Sequence, residues 1–63
     1  MTALLKVVEA ADELRVSPDT VYRRIASGEL PAVDIAPAGA WKSMTRIRRE
    51  DLDAYITART RTP

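Results

Sequence analysis

The chain has 63 residues, enough for one small domain, which we predict to span residues 1–63. It contains no Cys and no His, so disulfide scaffolds, zinc fingers, thiol nucleophiles and imidazole bases are excluded, and neither a metal nor a cofactor is expected. Ten basic and nine acidic residues give a formal charge of +1, which does not by itself indicate a polyanionic partner.

The positive charge is concentrated at two places in the chain. Residues 15–28 carry a net charge of +2 and residues 41–49 carry +4, while the segments before and between them are acidic. Eight of the ten basic residues are Arg, whose planar guanidinium suits forked contacts with phosphate and guanine. Charge sorted in this way can steer a polyanion even when the net charge is small.

The first third of the sequence predicts two short helices. Apolar residues spaced at i, i+3, i+4 and i+7 predict a helix over Val7–Leu14. After a three-residue break, Ser17 is suited to cap a second helix with Pro at its first position, and Gly28 is suited to end it, so we place this helix at residues 18–27. Two short helices joined by so tight a turn are typical of a helix-turn-helix.

The second half of the sequence predicts a β-hairpin and a final helix. Residues 33–35 and 45–48 alternate in polarity as strands do, and residues 36–44 between them read as a long hairpin loop. A last helix is predicted to begin near Glu50, with Leu52, Tyr55 and Ile56 as its apolar face. The predicted fold class is therefore mostly α with a small β-hairpin, in the order of a winged helix-turn-helix.

The second helix has an outward face that is suited to a DNA major groove. At 100° per residue, Val21 and Ile25 mark its buried side and Arg23 lies almost opposite. The alternative is a solvated face with Asp19 and Arg23 paired at i, i+4, but the preceding turn and the following hairpin favour a recognition helix. The predicted DNA-contacting residues here are Ser17, Asp19, Thr20, Tyr22, Arg23, Arg24 and Ser27.

The predicted hairpin carries the second basic block. Arg46 and Arg48 share one face of the strand and are expected to point outward, where they would neutralise phosphates as part of a wing. For Arg46, a cross-strand ion pair with Asp34 is an equally open alternative. The predicted DNA-contacting residues of the wing are Lys42, Ser43, Arg46 and Arg48.

Trp41, the one Trp of the chain, lies in the hairpin loop. We expect it to fold back over the small core, with a minor-groove wedge and a protein–protein anchor as alternatives. Arg49 is expected to balance the carboxylates of Glu50 and Asp51 rather than to contact DNA. The remaining acidic residues, Glu9, Asp12 and Glu13, are expected to form a solvated helix face, with a partner-binding patch as the alternative.

Three stretches of the sequence resemble one family. They are Ser-x-x-Thr-Val-Tyr-Arg at residues 17–23, Gly-Glu-Leu-Pro-Ala at residues 28–32 and Arg-x-Asp-Leu-x-Ala-Tyr at residues 49–55. With them, residues 4–56 resemble the excisionase-type, MerR-like winged-helix family. The resemblance implies that the second helix enters the major groove and that the wing lies against the minor groove or backbone. It puts Thr20 and Arg23 at base- or phosphate-contacting positions and Tyr22 and Arg24 at flanking ones.

The sequence departs from the family pattern at several positions. Lys6 stands where a capping Thr is usual, and Arg15 stands where the turn usually has Gly, so Arg15 is expected to need a positive φ. Asp34 replaces a residue that is often basic in relatives, and the wing loop is longer than usual.

The resemblance implies an excisionase, an architectural protein that binds cooperatively near attachment sites and directs a tyrosine integrase toward excision. The expected partners are double-stranded DNA, adjacent copies of the chain and an integrase. Contact between copies is expected to join the acidic first helix to Arg59 and Arg61. The alternatives are a small transcriptional regulator of the same fold and a protein-interaction module without DNA binding.

Catalysis and membrane insertion are not expected. No carboxylate is assigned to a cleft by the sequence, and Ser17 reads as a helix cap rather than as a nucleophile. No apolar run approaches the roughly 18 residues that span a membrane, and no secretory signal is visible. The cytoplasm of a prokaryotic host cell is the expected location.

Overall fold

Three helices and three short strands make up the part of the chain that the computed structural model describes, residues 3–60. They form the predicted winged helix-turn-helix, in which two helices precede a β-hairpin and a third helix follows it. In chain order the elements are β1 (Leu4–Lys6), α1 (Val7–Leu14), α2 (Pro18–Ala26), β2 (Val33–Asp34), β3 (Thr45–Arg48) and α3 (Arg49–Arg59).

The predicted boundaries are close to those observed. α1 and β3 have the predicted limits, whereas α2 ends at Ala26, one residue early, because Ser27 takes the C-cap position. Strand β2 is one residue shorter than predicted, although the N–H of Ile35 still donates to the Met44 carbonyl at 3.0 Å. Helix α3 begins at Arg49, one residue before the predicted start.

The sheet has three antiparallel strands in the order β1-β3-β2, so a third strand, β1, joins the predicted hairpin. Strand β1 was not predicted because three residues are too few to display an alternating pattern. The register sets Leu5 opposite Ile47 and Asp34 opposite Thr45. Since paired residues share a face and neighbours alternate, Asp34 and Arg46 point to opposite faces, and the alternative of an ion pair between them is wrong.

The core draws side chains from every element except β2. Leu14, Ile25, Ala32 and Tyr55 are only partly buried and pack against it. Ile56, predicted to share the apolar face of α3, is exposed instead, because the core contacts of α3 run through Leu52 and Tyr55. The buried core residues are Leu5, Val7, Ala10, Ala11, Val21, Leu30, Ile47 and Leu52.

Helices α1 and α2 end with the same backbone geometry. Arg15 follows α1 with φ 59°, and the N–H of Val16 reaches back to the Ala11 carbonyl at 3.1 Å. Gly28 follows α2 with φ 83°, and the N–H of Glu29 likewise reaches the Arg24 carbonyl at 3.0 Å. Both are Schellman endings, which favour Gly at the left-handed residue. The positive φ expected at Arg15 is confirmed, and the backbone there is strained because a residue with Cβ adopts the left-handed conformation.

Replacing Arg15 by Gly is expected to raise the free energy of unfolding by about 0.5–1 kcal/mol, because relief of the left-handed penalty exceeds the entropy that Gly loses on folding. Urea denaturation measures the change. Arg15→Ala is the control, since it removes the charge but keeps Cβ, and its midpoint should stay near that of the wild type. A lower midpoint for Arg15→Gly than for Arg15→Ala would contradict the assignment of strain.

Candidate nucleic-acid interface

The start of α2 is set by the predicted cap. The Ser17 hydroxyl accepts from the backbone N–H of Thr20 at 3.3 Å, and the two hydroxyl oxygens lie 3.1 Å apart. This cap satisfies one of the free N–H groups at the helix start. Ser17 and Thr20, both predicted contact residues, therefore already have a local partner in each other, and Thr20 is half-buried.

The outward face of α2 is open to solvent as predicted. The Arg23 and Asp19 side chains are 76% and 73% exposed, and they form an ion pair with 3.0 Å between Nε and Oδ2. Tyr22 beside them is also exposed. An ion pair this exposed contributes little to stability. The Arg23 guanidinium can therefore exchange Asp19 for a stronger acceptor at low cost.

The other flank of α2 is tied to α3 through Glu29. Its carboxylate accepts from the Ser27 hydroxyl at 2.8 Å, lies 3.5 Å from Arg24 and accepts from Arg59 at 2.5 Å. The Ser27 hydrogen bond first, and then the one from Arg59, lowers the pKa of Glu29 below its ordinary value. Ser27 and Arg24, both predicted contact residues, are thus held by a carboxylate of their own chain.

The same cluster bears on the contact predicted between copies. The Arg59 guanidinium lies 4.5 Å from the centre of the Tyr55 ring and pairs with Glu29. Arg59 therefore has both an aromatic and an acidic partner within the chain. Arg61, the other cation of that prediction, lies outside the described residues.

Arg49 links α3 to α1. Its two terminal nitrogens donate to both carboxylate oxygens of Glu13 at 2.7 and 2.5 Å, and Asp53 lies 3.6 Å away. The Arg49 hydrogen bond lowers the pKa of Glu13. Glu9, Asp12 and Glu13 are exposed, as expected of a solvated helix face, but a forked pair also binds Glu13 to α3. Asp51, which was expected to balance Arg49, forms an ion pair with Arg48 instead.

The wing loop is closed by Asp34, whose role the sequence did not reveal. One carboxylate oxygen of Asp34 accepts from the backbone N–H groups of Ala36 and Met44, both at 2.9 Å. These two bonds, with Met44 first, lower the pKa of Asp34 below its ordinary value of 3.8. At the tip, Ala40 donates to the Pro37 carbonyl at 3.0 Å. The loop is therefore braced at both its base and its tip.

The predicted wing cations differ in how free they are. The Arg48 Nε lies 2.7 Å from the Asp51 carboxylate, which raises the pKa of Arg48. Arg46 is half-buried and donates to the Thr45 carbonyl at 2.9 Å. Lys42 and Ser43 are exposed in the loop. Among residues 3–60, no ion pair includes Lys42 or Arg46.

Lys6 is a basic residue of this surface that the sequence prediction missed. The register sets Lys6 opposite Arg46 and Leu4 opposite Arg48, so Lys6, Arg46 and Arg48 share the outer face of the sheet. The signal available was the apolar Leu5 between Leu4 and Lys6. That residue is buried, and its neighbours point outward.

Trp41 does not cover the core, and the expectation that it folds back is wrong. Its side chain is 94% exposed. The braced loop holds it away from a core that other side chains already fill. Its two remaining interpretations are a wedge into DNA and an anchor for a protein.

The part of the chain that the structure describes contains neither a metal-binding cluster nor a membrane-spanning helix. Residues 3–60 contain no cluster of three or more acidic side chains able to hold a metal ion. None of their helices is long and apolar enough to cross a membrane.

A protein-family model described as a helix-turn-helix domain matches residues 4–60. The chain therefore belongs to the helix-turn-helix domain family, a family of sequence-specific DNA-binding domains that are typically non-enzymatic. No curated protein and no solved structure matches the chain. DNA is the partner that this membership assigns to it.

Asp34→Asn is expected to lower the free energy of unfolding at neutral pH. The difference in unfolding free energy between this variant and the wild type should become smaller in acid. Because the pKa of Asp34 is lower in the folded protein, its ionised carboxylate stabilises the fold at any pH above the ordinary pKa of 3.8. This contribution is lost as the pH falls through the folded pKa. Urea denaturation of both proteins, repeated from neutral pH to below pH 3.8, measures this difference in unfolding free energy. Because other carboxyls titrate equally in both proteins, a gap that does not change with pH would contradict the role given to Asp34.

Proposed function

We propose that the chain is an excisionase-type architectural protein whose residues 1–63 act as one DNA-binding domain. In this proposal α2 lies in the major groove and the β2–β3 wing lies along the adjacent minor groove or backbone. Copies bind side by side near an attachment site and direct a tyrosine integrase toward excision. The observation that carries the proposal is the open, Arg23-centred face of α2, and the wing adds two cations that form no ion pair among residues 3–60.

The proposed recognition surface is centred on Arg23. Its guanidinium is exposed and held only by Asp19, so it can fork onto the two acceptors of a guanine edge. Tyr22 is exposed on one flank and suits a phosphate or sugar contact. Thr20 and Arg24 lie on the other flank, where their existing partners favour a positioning role over reading bases.

The proposed wing surface supplies charge rather than sequence discrimination. Lys42 and Arg46 have no ion pair among residues 3–60, so they can meet phosphates without breaking an ion pair. Arg48 must exchange Asp51 for a phosphate and is expected to contribute less. Ser43 and Lys6 extend the same surface, at the loop and on the outer face of the sheet.

Binding by several copies follows from the size of the module. One small module buries only about 600–1,000 Å² on DNA, so a single copy is expected to bind weakly. Neighbouring copies, or an integrase bound nearby, raise the effective concentration. The near-neutral net charge of +1 limits repulsion between copies. We do not propose that Glu13 and Arg59 pair across copies, since each already has a partner within the chain.

The resemblance of residues 4–56 to the excisionase-type family supports this role, and a small transcriptional regulator of the same fold is the second candidate. A regulator would use the same interface, so the location of the DNA sites separates the two. A protein-interaction module without DNA binding is disfavoured by membership of a DNA-binding family.

Arg23→Ala is expected to weaken binding to the preferred duplex by about 1–3 kcal/mol and to relax sequence preference, since a base contact is lost. Lys42→Ala is the contrast: it should weaken all duplexes alike and reduce the salt slope by about one unit. Gel-shift titrations at two salt concentrations measure both effects. Arg15→Ala controls for the loss of one positive charge. If Arg23→Ala lost equal affinity for preferred and random DNA, Arg23 would be a phosphate contact only.

A footprint on the genomic DNA around the reading frame, followed by an excision assay with the neighbouring integrase, tests the biological role. We expect adjacent protected sites beside a recombination core, and excision that depends on the protein. Protection that overlaps a promoter, without any effect on excision, would assign the chain to transcriptional regulation. A protein that shifts no duplex at low salt would contradict the DNA-binding geometry altogether.

A further inference from the structure

Trp41 is the largest apolar side chain that the described structure leaves in water. It is 94% exposed, and it is the one Trp of the 63 residues. A covered Trp removes about 150–250 Å² from water, so a partner that covers it gains a large hydrophobic contribution. The residues beside it in the loop are small or polar, so no neighbouring side chain shields the ring.

The loop presents Trp41 in a defined position. Asp34 ties both ends of the loop through the N–H groups of Ala36 and Met44. Near the tip, Gly39 has φ 84°, a conformation that Gly adopts without strain, and the Ala40 N–H donates to the Pro37 carbonyl. A braced loop loses less conformational entropy when it binds than a free one does.

The charge around the loop indicates what covers Trp41. Asp34 is the one acidic residue between residues 30 and 49, and its carboxylate is engaged by the two backbone N–H groups. Lys42 follows Trp41 directly, and Arg46 lies further along the same hairpin. An exposed aromatic ring on a hairpin that carries two cations without ion pairs is complementary to stacked bases flanked by phosphates.

We propose that Trp41 inserts between two base pairs in the groove that the wing follows, unstacks that step and bends the duplex. The proposal rests on the proposed function, which sets the wing on DNA. Lys42 beside the ring neutralises the adjacent phosphate. Pyrimidine–purine steps are the preferred sites because they unstack most easily.

A protein partner is the competing occupant. Ile35 and Met44 at the base of the loop are also exposed and, with Trp41, would form a small apolar patch. That patch contains no unpaired carboxylate and is flanked by Lys42, so its charge favours DNA. The experiments below therefore separate insertion into DNA from contact with a second copy.

The first measurement uses Trp41 as its own fluorescent probe. The preferred duplex is selected from a randomised library with the wild-type protein. Binding of that duplex should quench the Trp emission and protect it from acrylamide, because stacked bases cover the ring. Emission that stays fully accessible to acrylamide in the saturated complex would overturn the proposal.

The second measurement compares Trp41→Ala, Trp41→Phe and a control, Met44→Ala, on a single-site duplex. Trp41→Ala should lose affinity about tenfold, by loss of one stacked base contact. Its bend, measured by circular-permutation gel shift, should fall by about 20° or more. Trp41→Phe should retain most of both properties, and Met44→Ala should match the wild type. Unchanged urea midpoints show that each variant is folded.

The third measurement tests insertion at one step. Replacing the pyrimidine–purine step under the wing by a stiff A-tract should weaken the wild type but leave Trp41→Ala unchanged. Equal weakening of both proteins would overturn the proposal. The proposal would also be overturned if Trp41→Ala bound and bent a single-site duplex normally but bound a two-site duplex without cooperativity. That result would identify Trp41 as a contact between copies and would leave DNA binding intact. A selection that enriches no duplex would instead contradict the proposed function itself.

Discussion

The packing of Ile47 in the middle strand is the constraint on which the rest of the structure depends. Ile47 is fully buried, and β3 pairs with β1 on one side and with β2 on the other. Helix α3 begins immediately after β3, and the N–H of Arg49 donates to the Ala3 carbonyl at 2.8 Å. One strand therefore sets the position of the wing, the edge strand and the last helix. With Ile47 facing inward, Arg46 and Arg48 on either side must face outward.

Ion pairs within the chain decide which cations are free to meet DNA. Three cations form ion pairs with carboxylates elsewhere in the fold: Arg48 with Asp51 on α3, Arg49 with Glu13 on α1, and Arg59 with Glu29 on the turn after α2. Arg23 has only an exposed partner on its own helix, and Lys42 has none among residues 3–60. The net charge of +1 thus conceals a division between structural cations and available ones. Of the available ones, Arg23 lies on α2 and Lys42 on the wing, the two elements that the proposed function sets against DNA.

Local signals predicted the helices well because a cap or a left-handed ending acts within a few residues. Ser17 and Gly28 bounded α2 to within one residue. The family pattern, which usually has Gly in the turn, correctly indicated a positive φ at Arg15. Predictions that needed a partner distant in sequence did less well. Glu13 is bonded to Arg49, 36 residues away. No local pattern identifies such a pair among nine carboxylates and ten cations.

The sequence by itself determined the helix-turn-helix, the order of the three helices and the hairpin, and the concentration of Arg on α2 and the wing, because periodicity, caps and charge are properties of neighbouring residues. Only the tertiary structure decided the strand register, and with it the separation of Asp34 from Arg46 and the addition of Lys6 to the outer face. It also decided that Trp41 stays in water. Register and exposure depend on how distant segments fill one core, and a single shift of the pairing would reverse every side chain of a strand.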